Sequence, residues 1–134
     1  MAPSADAEDL DRFVETSFAI IAQVTRVGAE YDLSLTAVRM LGILRDRVLK
    51  MAELAEYLGL ERSTISGLVD RAERRGLVVR ETHASDGRST RVRLTSDGQA
   101  QVARATADLA TRITPIIENS GLAPKSSGHS SAID

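Results

Sequence analysis

The chain has 134 residues, a formal net charge of −2, and a composition that is 43% hydrophobic and 27% charged, which is typical of one globular domain and excludes a disordered chain. It has no cysteine, which excludes disulfides and cysteine redox switches, and its two histidines, His83 and His129, are so far apart in sequence that we predict no metal site. No apolar run reaches the roughly 18 residues of a membrane span, and the acidic start lacks the basic segment of a signal peptide, so we expect a cytoplasmic protein with no membrane partner.

Apolar residues at intervals of three and four predict an amphipathic helix over about residues 8–31. Ser34 is placed to cap the next helix, because its hydroxyl can accept a hydrogen bond from a free backbone N–H in the first turn. The apolar pattern of that second helix runs through Val38, Leu41, Leu44 and Val48.

Two short helices follow. The first covers about residues 51–58, and Gly59 is placed to close it with a left-handed cap. The second begins near Arg62, ends at Gly76, and turns four apolar residues inward. These are Ile65, Leu68, Val69 and Ala72.

The apolar period then changes to two, which predicts strands over residues 77–82 and 90–94 joined by a hairpin loop with an Asp86-Gly87 turn. Thr95 is placed to cap a last helix that runs to about Thr114. Pro115 disfavours helical geometry at the preceding residue, so we expect the helix to end or kink there. Residues 120–134 are polar and rich in Ser and Gly, which predicts a disordered tail.

Basic residues are concentrated in one part of the chain. Residues 61–95 contain eight Arg and five acidic side chains, whereas residues 1–60 contain six basic and ten acidic ones. Two helices joined by a short turn and followed by a hairpin form a winged helix-turn-helix, a DNA-binding architecture. An Arg at the hairpin tip, Arg88, can enter a narrow minor groove, where the negative potential is strongest.

Six short motifs follow one another between residues 54 and 95. They are Leu54-Ala55-Glu56, Ser63-Thr64, Leu68-Val69-Asp70-Arg71, Arg75-Gly76-Leu77-Val78, Asp86-Gly87-Arg88 and Val92-Arg93-Leu94-Thr95. By these motifs, residues 51–98 resemble the core of the MarR family of regulators, and weaker similarity extends over about residues 8–114. One position departs from the family: Glu61 replaces the usual Ser or Thr, so we expect it to cap its helix poorly.

The resemblance implies a mainly α fold with a small β-hairpin wing, in which one helix enters the major groove of double-stranded DNA and the wing enters the minor groove. We expect an N-terminal dimerisation helix (1–33), a winged helix-turn-helix domain (34–95), a C-terminal dimerisation helix (96–119) and the tail (120–134). The predicted DNA-binding residues are Arg62, Ser63, Thr64, Ser66, Gly67, Arg71, Arg74, Asp86, Arg88 and Arg91.

A homodimer on a palindromic operator is expected, because two recognition helices must reach two half-sites. The first and last helices carry more apolar surface than a small winged domain can cover. The family usually adds a sixth helix, whereas this chain has Pro115 and a polar tail there. We therefore expect a small dimer interface and a dimer that dissociates at micromolar concentration. The predicted interface residues are Phe13, Phe18, Leu109, Ile113, Ile116 and Ile117.

The resemblance further implies a repressor that releases DNA when a small, often phenolic or anionic, effector binds between the dimerisation helices and the winged domain. Tyr31, Arg39 and His83 are candidates for that pocket, and a core or surface role is the alternative for each. An alternative function is a winged-helix module that binds an acidic protein partner. The two histidines are scattered, and the sequence has no cysteine and no apparent carboxylate pair. From this we expect that the protein is not an enzyme and binds no cofactor.

Overall fold

The computed structural model describes residues 6–82 and 89–122. The predicted fold class, mainly helical with a small hairpin wing, is confirmed. Of the residues singled out from the sequence, His83, Asp86, Arg88 and His129 lie outside the described residues, as does most of the predicted tail. The elements in chain order are α1 (Ala7–Glu30), α2 (Leu35–Leu44), β1 (Leu49–Lys50), α3 (Met51–Leu58), α4 (Arg62–Arg74), β2 (Val78–Thr82), β3 (Thr90–Leu94) and α5 (Ser96–Ser120).

The wing is a three-stranded antiparallel sheet in the order β1-β3-β2. In the β2–β3 hairpin Val78 pairs with Leu94 and Arg80 with Val92. The short β1 adds Leu49 opposite Val92 on the other side. The sequence did not predict β1, because a strand of two residues is too short to show an alternating pattern.

The helix ends have the predicted chemistry. The side chains of Ser34 and Thr95 accept hydrogen bonds from backbone N–H groups in the first turns of α2 and α5. Gly59 and Gly76 have φ angles of 67° and 75°, a left-handed conformation that glycine adopts without steric cost. Glu61, at the N-cap of α4, makes no side-chain capping hydrogen bond, as expected.

One hydrophobic core lies beneath the helix-turn-helix and joins α2, α3 and α4 to the inner face of the sheet. The predicted inward residues of α4 are all buried. Within residues 6–82 and 89–122, no helix is both long and apolar enough to cross a membrane. The largest fully buried side chains are Met40, Leu44, Leu54, Ile65, Val27, Val69, Val78 and Val92.

The predicted ends of two helices were wrong, and the alternative that α5 kinks at Pro115 stays a prediction. Helix α5 does not end at Thr114 but continues through Pro115 to Ser120. A proline inside a helix removes one main-chain hydrogen bond and crowds the carbonyl of residue i−4, yet the helix continues for another turn, in which Ile116 is partly buried. Helix α2 ends at Leu44, so Val48 does not continue it; Val48 precedes β1 and is exposed.

Candidate nucleic-acid interface

Helix α4 presents a polar face opposite its buried one. The apolar residues of α4 are spaced by three and four, which gathers them on one side of the helix and leaves the other side in solvent. Ser63, Thr64 and Ser66 are exposed in its first half, and Arg71 and Arg74 in its second half. The small side chains therefore lie near the start of the helix, where the base edges of DNA are reached in helix-turn-helix complexes.

An open groove separates α4 from the wing. Arg62, Ser63 and Ser66 line one side of it, and Thr90 of β3 lies on the other. Two further basic residues, Lys50 and Arg80, also line this groove. The structure thus brings three predicted DNA-binding residues together with cations that the sequence reasoning did not select.

Arg80 links the wing to the recognition helix. Its Nη1 lies 2.8 Å from a carboxylate oxygen of Asp70 and 2.7 Å from one of Glu73. Its backbone N–H also donates to Glu73, at 3.3 Å. The two acceptors are three residues apart on α4, so one guanidinium fixes the strand against the helix. The sequence shows that Asp70 and Glu73 are three residues apart and therefore share one side of the helix. It does not show which cation binds them.

Gly67 and Arg71 form a close pair on the exposed surface of α4. A Cβ placed on Gly67 would lie 3.5 Å from Nη1 of Arg71, so the Arg71 side chain extends back along the helix over the glycine. Arg71 also lines a surface cleft with Asp32 and Ser34. It therefore occupies the edge of α4 nearest the start of α2, away from the wing.

Arg91 and Arg93 share one face of β3, as the alternating sequence predicted, while Val92 and Leu94 are buried. Arg91 is partly buried and stands in register between Lys50 of β1 and Glu81 of β2. Nε of Arg93 donates to Glu81 at 2.7 Å. The structure thus places Arg91 in the middle of the sheet, among charged neighbours on both sides.

Helices α1 and α5 contact each other through polar pairs. The hydroxyl of Tyr31 donates to Asp108 at 2.9 Å, and Arg112 lies 2.8 Å from Glu30. The hydrogen bond to Asp108 raises the pKa of Tyr31, because only the protonated hydroxyl can donate it. Further along, Arg12 lies beside Gly121, so the two helices run in opposite directions.

A small apolar cavity of about 120 Å³ lies among α1, α2 and α5. Tyr31 lines it, as the sequence suggested, whereas Arg39 lies in a separate surface depression. Within the part of the chain that the structure describes, no group accepts a hydrogen bond from Nε2 of Gln101, a cavity residue, although this atom is shielded from solvent. The cavity thus has a mainly apolar lining in which the Gln101 amide can donate a hydrogen bond to a ligand.

The family model for the MarR family matches residues 31–89. This part of the chain is therefore similar to the MarR-family domain. The match to the MarR-family model begins at the end of α1 and ends before β3, so it contains the whole of α4.

Two curated relatives carry the same kind of domain. The chain is 32% identical over 75 residues to the HTH-type transcriptional repressor YetL of Bacillus subtilis, which is 56% of this chain and 45% of YetL. It is 32% identical over 89 residues to the HTH-type transcriptional regulator SarZ of Staphylococcus aureus, which is 66% of this chain and 60% of SarZ. The matched segment therefore spans about half the length of these relatives.

The fold of the segments outside the MarR-family match is also similar to that of a solved structure. The crystal structure of NadR in complex with 4-hydroxyphenylacetate superposes with a TM-score of 0.72 and 22% sequence identity. The superposition covers 89% of this chain and 85% of that one. At this level of identity the likeness establishes the arrangement of α1 and α5 around the winged domain, and no more.

Proposed function

We propose that this protein is a sequence-specific DNA-binding regulator of transcription that acts as a repressor in the cytoplasm and catalyses no reaction. The observation that carries the proposal is the groove between α4 and the wing, where Arg62 and Lys50 flank exposed serine hydroxyls and Arg80 neutralises two carboxylates of α4. Arginine and lysine bind backbone phosphates, and hydroxyls read or position bases at short range. The relatives YetL and SarZ, a repressor and a regulator by name, support the proposal.

In the proposed complex, α4 lies in the major groove. Ser63, Thr64 and Gly67 face the base edges, because short side chains let the helix approach closely. Arg62, Arg71, Arg74 and Arg91 bind phosphates on the flanks. By its resemblance to the family, Arg88 enters the adjacent minor groove and Asp86 orients it.

A second copy of the chain is the proposed partner of α1 and α5. Phe13 and Phe18 are 54% and 67% exposed, and Ile117 is 38% exposed. Leu10, Val14 and Ile21 continue the exposed apolar stripe on α1. An apolar stripe of this length in water indicates an interaction site, and a two-fold dimer supplies the two recognition helices that a palindromic operator requires. Leu109, Ile113 and Ile116 lie on the half-buried side of α5 and complete the proposed interface.

The cavity among α1, α2 and α5 is the proposed effector site. Its volume, about 120 Å³, is close to that of engineered cavities of about 150 Å³ that hold one benzene ring. The Gln101 amide and the nearby Arg45 favour a ligand with one aromatic ring and an acceptor or anionic group. NadR, whose fold is similar, was crystallised with a ligand of this class.

A salt titration on duplex DNA tests the proposal. Binding to DNA releases condensed counterions, so log affinity should fall with log salt by about 0.9 for each phosphate neutralised. Arg74→Ala should reduce that slope by about one phosphate per subunit. Affinity that barely changes with salt, or binding to an acidic protein in preference to DNA, would contradict the proposal.

A further inference from the structure

Arg75 connects the end of the recognition helix to the end of α1. Its Nη1 donates to the carbonyl oxygen of Asp32 at 2.7 Å, and its Nη2 donates to that of Tyr31 at 2.8 Å. Arg75 is the C-cap residue of α4, and the two carbonyls lie directly after α1. A guanidinium presents its donors as a rigid fork, so it fixes both the distance and the angle between these two helix ends.

The turn that Arg75 binds has little freedom to move. Asp32 has a φ of 60°, a left-handed conformation that few residues other than glycine adopt. The Leu33 N–H donates to the carbonyl of Gly28 at 2.7 Å. A Cβ on Gly28 would lie 2.8 Å from the Leu33 carbonyl oxygen and 2.9 Å from a methyl group of Val38. The backbone around the turn is therefore tightly packed, and Arg75 is anchored to a rigid part of the molecule.

The same turn is joined to α5. Tyr31, whose carbonyl Arg75 binds, also donates its hydroxyl to Asp108, and Glu30 pairs with Arg112. Hydrogen bonds thus connect α4 through Arg75 and Tyr31 to both helices that carry the exposed apolar surface.

The neighbouring Arg74 has a different environment. Among the residues that the structure describes, its Nε reaches only the carbonyl of Asp70, at 3.4 Å and within the same helix. The two adjacent arginines therefore differ in role. Arg74 lies in solvent, where a phosphate can bind it. Arg75 donates hydrogen bonds from both terminal nitrogens to the backbone after α1.

We infer that Arg75 is a positioning residue for DNA recognition: it holds the recognition helix at a fixed angle to the α1–α5 pair and so sets the half-site spacing that the dimer accepts. This inference rests on the proposed function. A dimer whose two recognition helices are rigidly held accepts half-sites about one helical turn apart. If the Arg75 contact is lost, each winged domain can rotate on its terminal helices, and the preference for one spacing weakens.

The experiment measures affinity against spacing. The operator that the wild-type protein selects from random duplex DNA is rebuilt with its half-sites moved apart or together by one, two and three base pairs. Wild type, Arg75→Ala, Arg75→Lys and Arg74→Ala are each titrated on the whole set, and circular dichroism melts establish that the variants are folded. We expect wild type to bind best at one spacing. In Arg75→Ala the ratio between the affinity at that spacing and the affinity at the other spacings should fall about tenfold, the scale of one charge-assisted hydrogen bond.

The variants separate the possible roles of Arg75. Arg75→Lys keeps the charge and one donor, so it should recover part of the discrimination and serves as the test if Arg75→Ala does not fold. Arg74→Ala should lower affinity equally at every spacing. If Arg75→Ala behaves like Arg74→Ala or like wild type, the inference is overturned while the proposed function stands. A wild-type protein that selects no DNA would refute the proposed function, and the inference with it.

Discussion

Arg80 of the wing and Asp70 of the recognition helix form an ion pair at 2.8 Å, beside the surface that we propose binds DNA. Asp70 lies on the exposed side of α4, where an uncompensated carboxylate would repel phosphates. Arg80→Ala should therefore weaken DNA binding by about fivefold, since two unit charges about 4 Å apart in water interact by about 1 kcal/mol. Titration of a labelled operator at fixed salt measures this.

Two further variants show whether Arg80 acts through Asp70 and Glu73. Asp70→Asn and Glu73→Gln combined with Arg80→Ala should recover most of the affinity, because both carboxylates that Arg80 neutralises are then removed. Arg93→Ala is the matched control, since Arg93 pairs with Glu81 outside the groove. Failure of the two amide substitutions to restore binding would show that Arg80 does not act by neutralising these carboxylates.

Gly98 is predicted to be essential for stability. A Cβ at this position would overlap the carbonyl oxygen of Leu77, which accepts a hydrogen bond from Thr95. Gly98→Ala should lower the free energy of unfolding by about 1–3 kcal/mol, as overpacked substitutions do. Gly42→Ala is the control, because its Cβ meets nothing within 4 Å, and in a helix it should raise stability by up to about 1 kcal/mol. Equal urea midpoints for the two variants would refute the packing argument.

The sequence was sufficient to predict most of the fold because local rules determine most of it. The interval of three and four residues in α4, the Ser34 and Thr95 caps and the glycine at position 59 each act within a few residues, so each could be inferred without a structure. Pro115 shows the limit of such rules: a proline disfavours helix locally, yet α5 continues past it to Ser120.

The connections between elements could not be inferred in this way. Arg75 and Asp32 are 43 residues apart and Tyr31 and Asp108 are 77 apart, and nothing in the local pattern indicates that either pair meets. The exposed Arg71 and Arg74 were found from periodicity alone. The roles of Arg75 and Arg80 depend on which backbone or carboxylate lies opposite, and only tertiary structure supplies that.

The recognition helix and the wing should make distinguishable contributions. Replacing Ser63 or Thr64 by Ala should relax base preference in the major groove by about 1–3 kcal/mol if a base contact is lost. Arg88→Ala should weaken binding and change preference chiefly at outer A·T-rich positions, because the minor groove largely distinguishes only A·T from G·C. Selection from random DNA with each variant measures both effects. Equal and sequence-independent losses for all three variants would refute this division.

The cavity residue Gln101 should contribute to effector binding. With 4-hydroxyphenylacetate as the probe, we expect wild-type protein to melt at a higher temperature and to bind operator DNA more weakly. Gln101→Leu should bind the probe about tenfold more weakly, the scale of one hydrogen bond to a charged group. Asn119→Leu is the control, since Asn119 is exposed on the same helix outside the cavity lining. Identical probe affinities for wild type and Gln101→Leu would remove Gln101 from the site.

The central claim is that two copies of this chain, paired through α1 and α5, bind one duplex at the groove between α4 and the wing. Sedimentation velocity over a protein concentration series, with and without a duplex carrying the selected operator, tests it most directly. We predict a dimer that dissociates at micromolar concentration when free and a complex of two chains on each duplex. Phe13→Asp, placed in the exposed stripe of α1, should give monomers that no longer bind the duplex in pairs. A wild-type protein that is monomeric at every concentration, with DNA present or absent, would contradict the account.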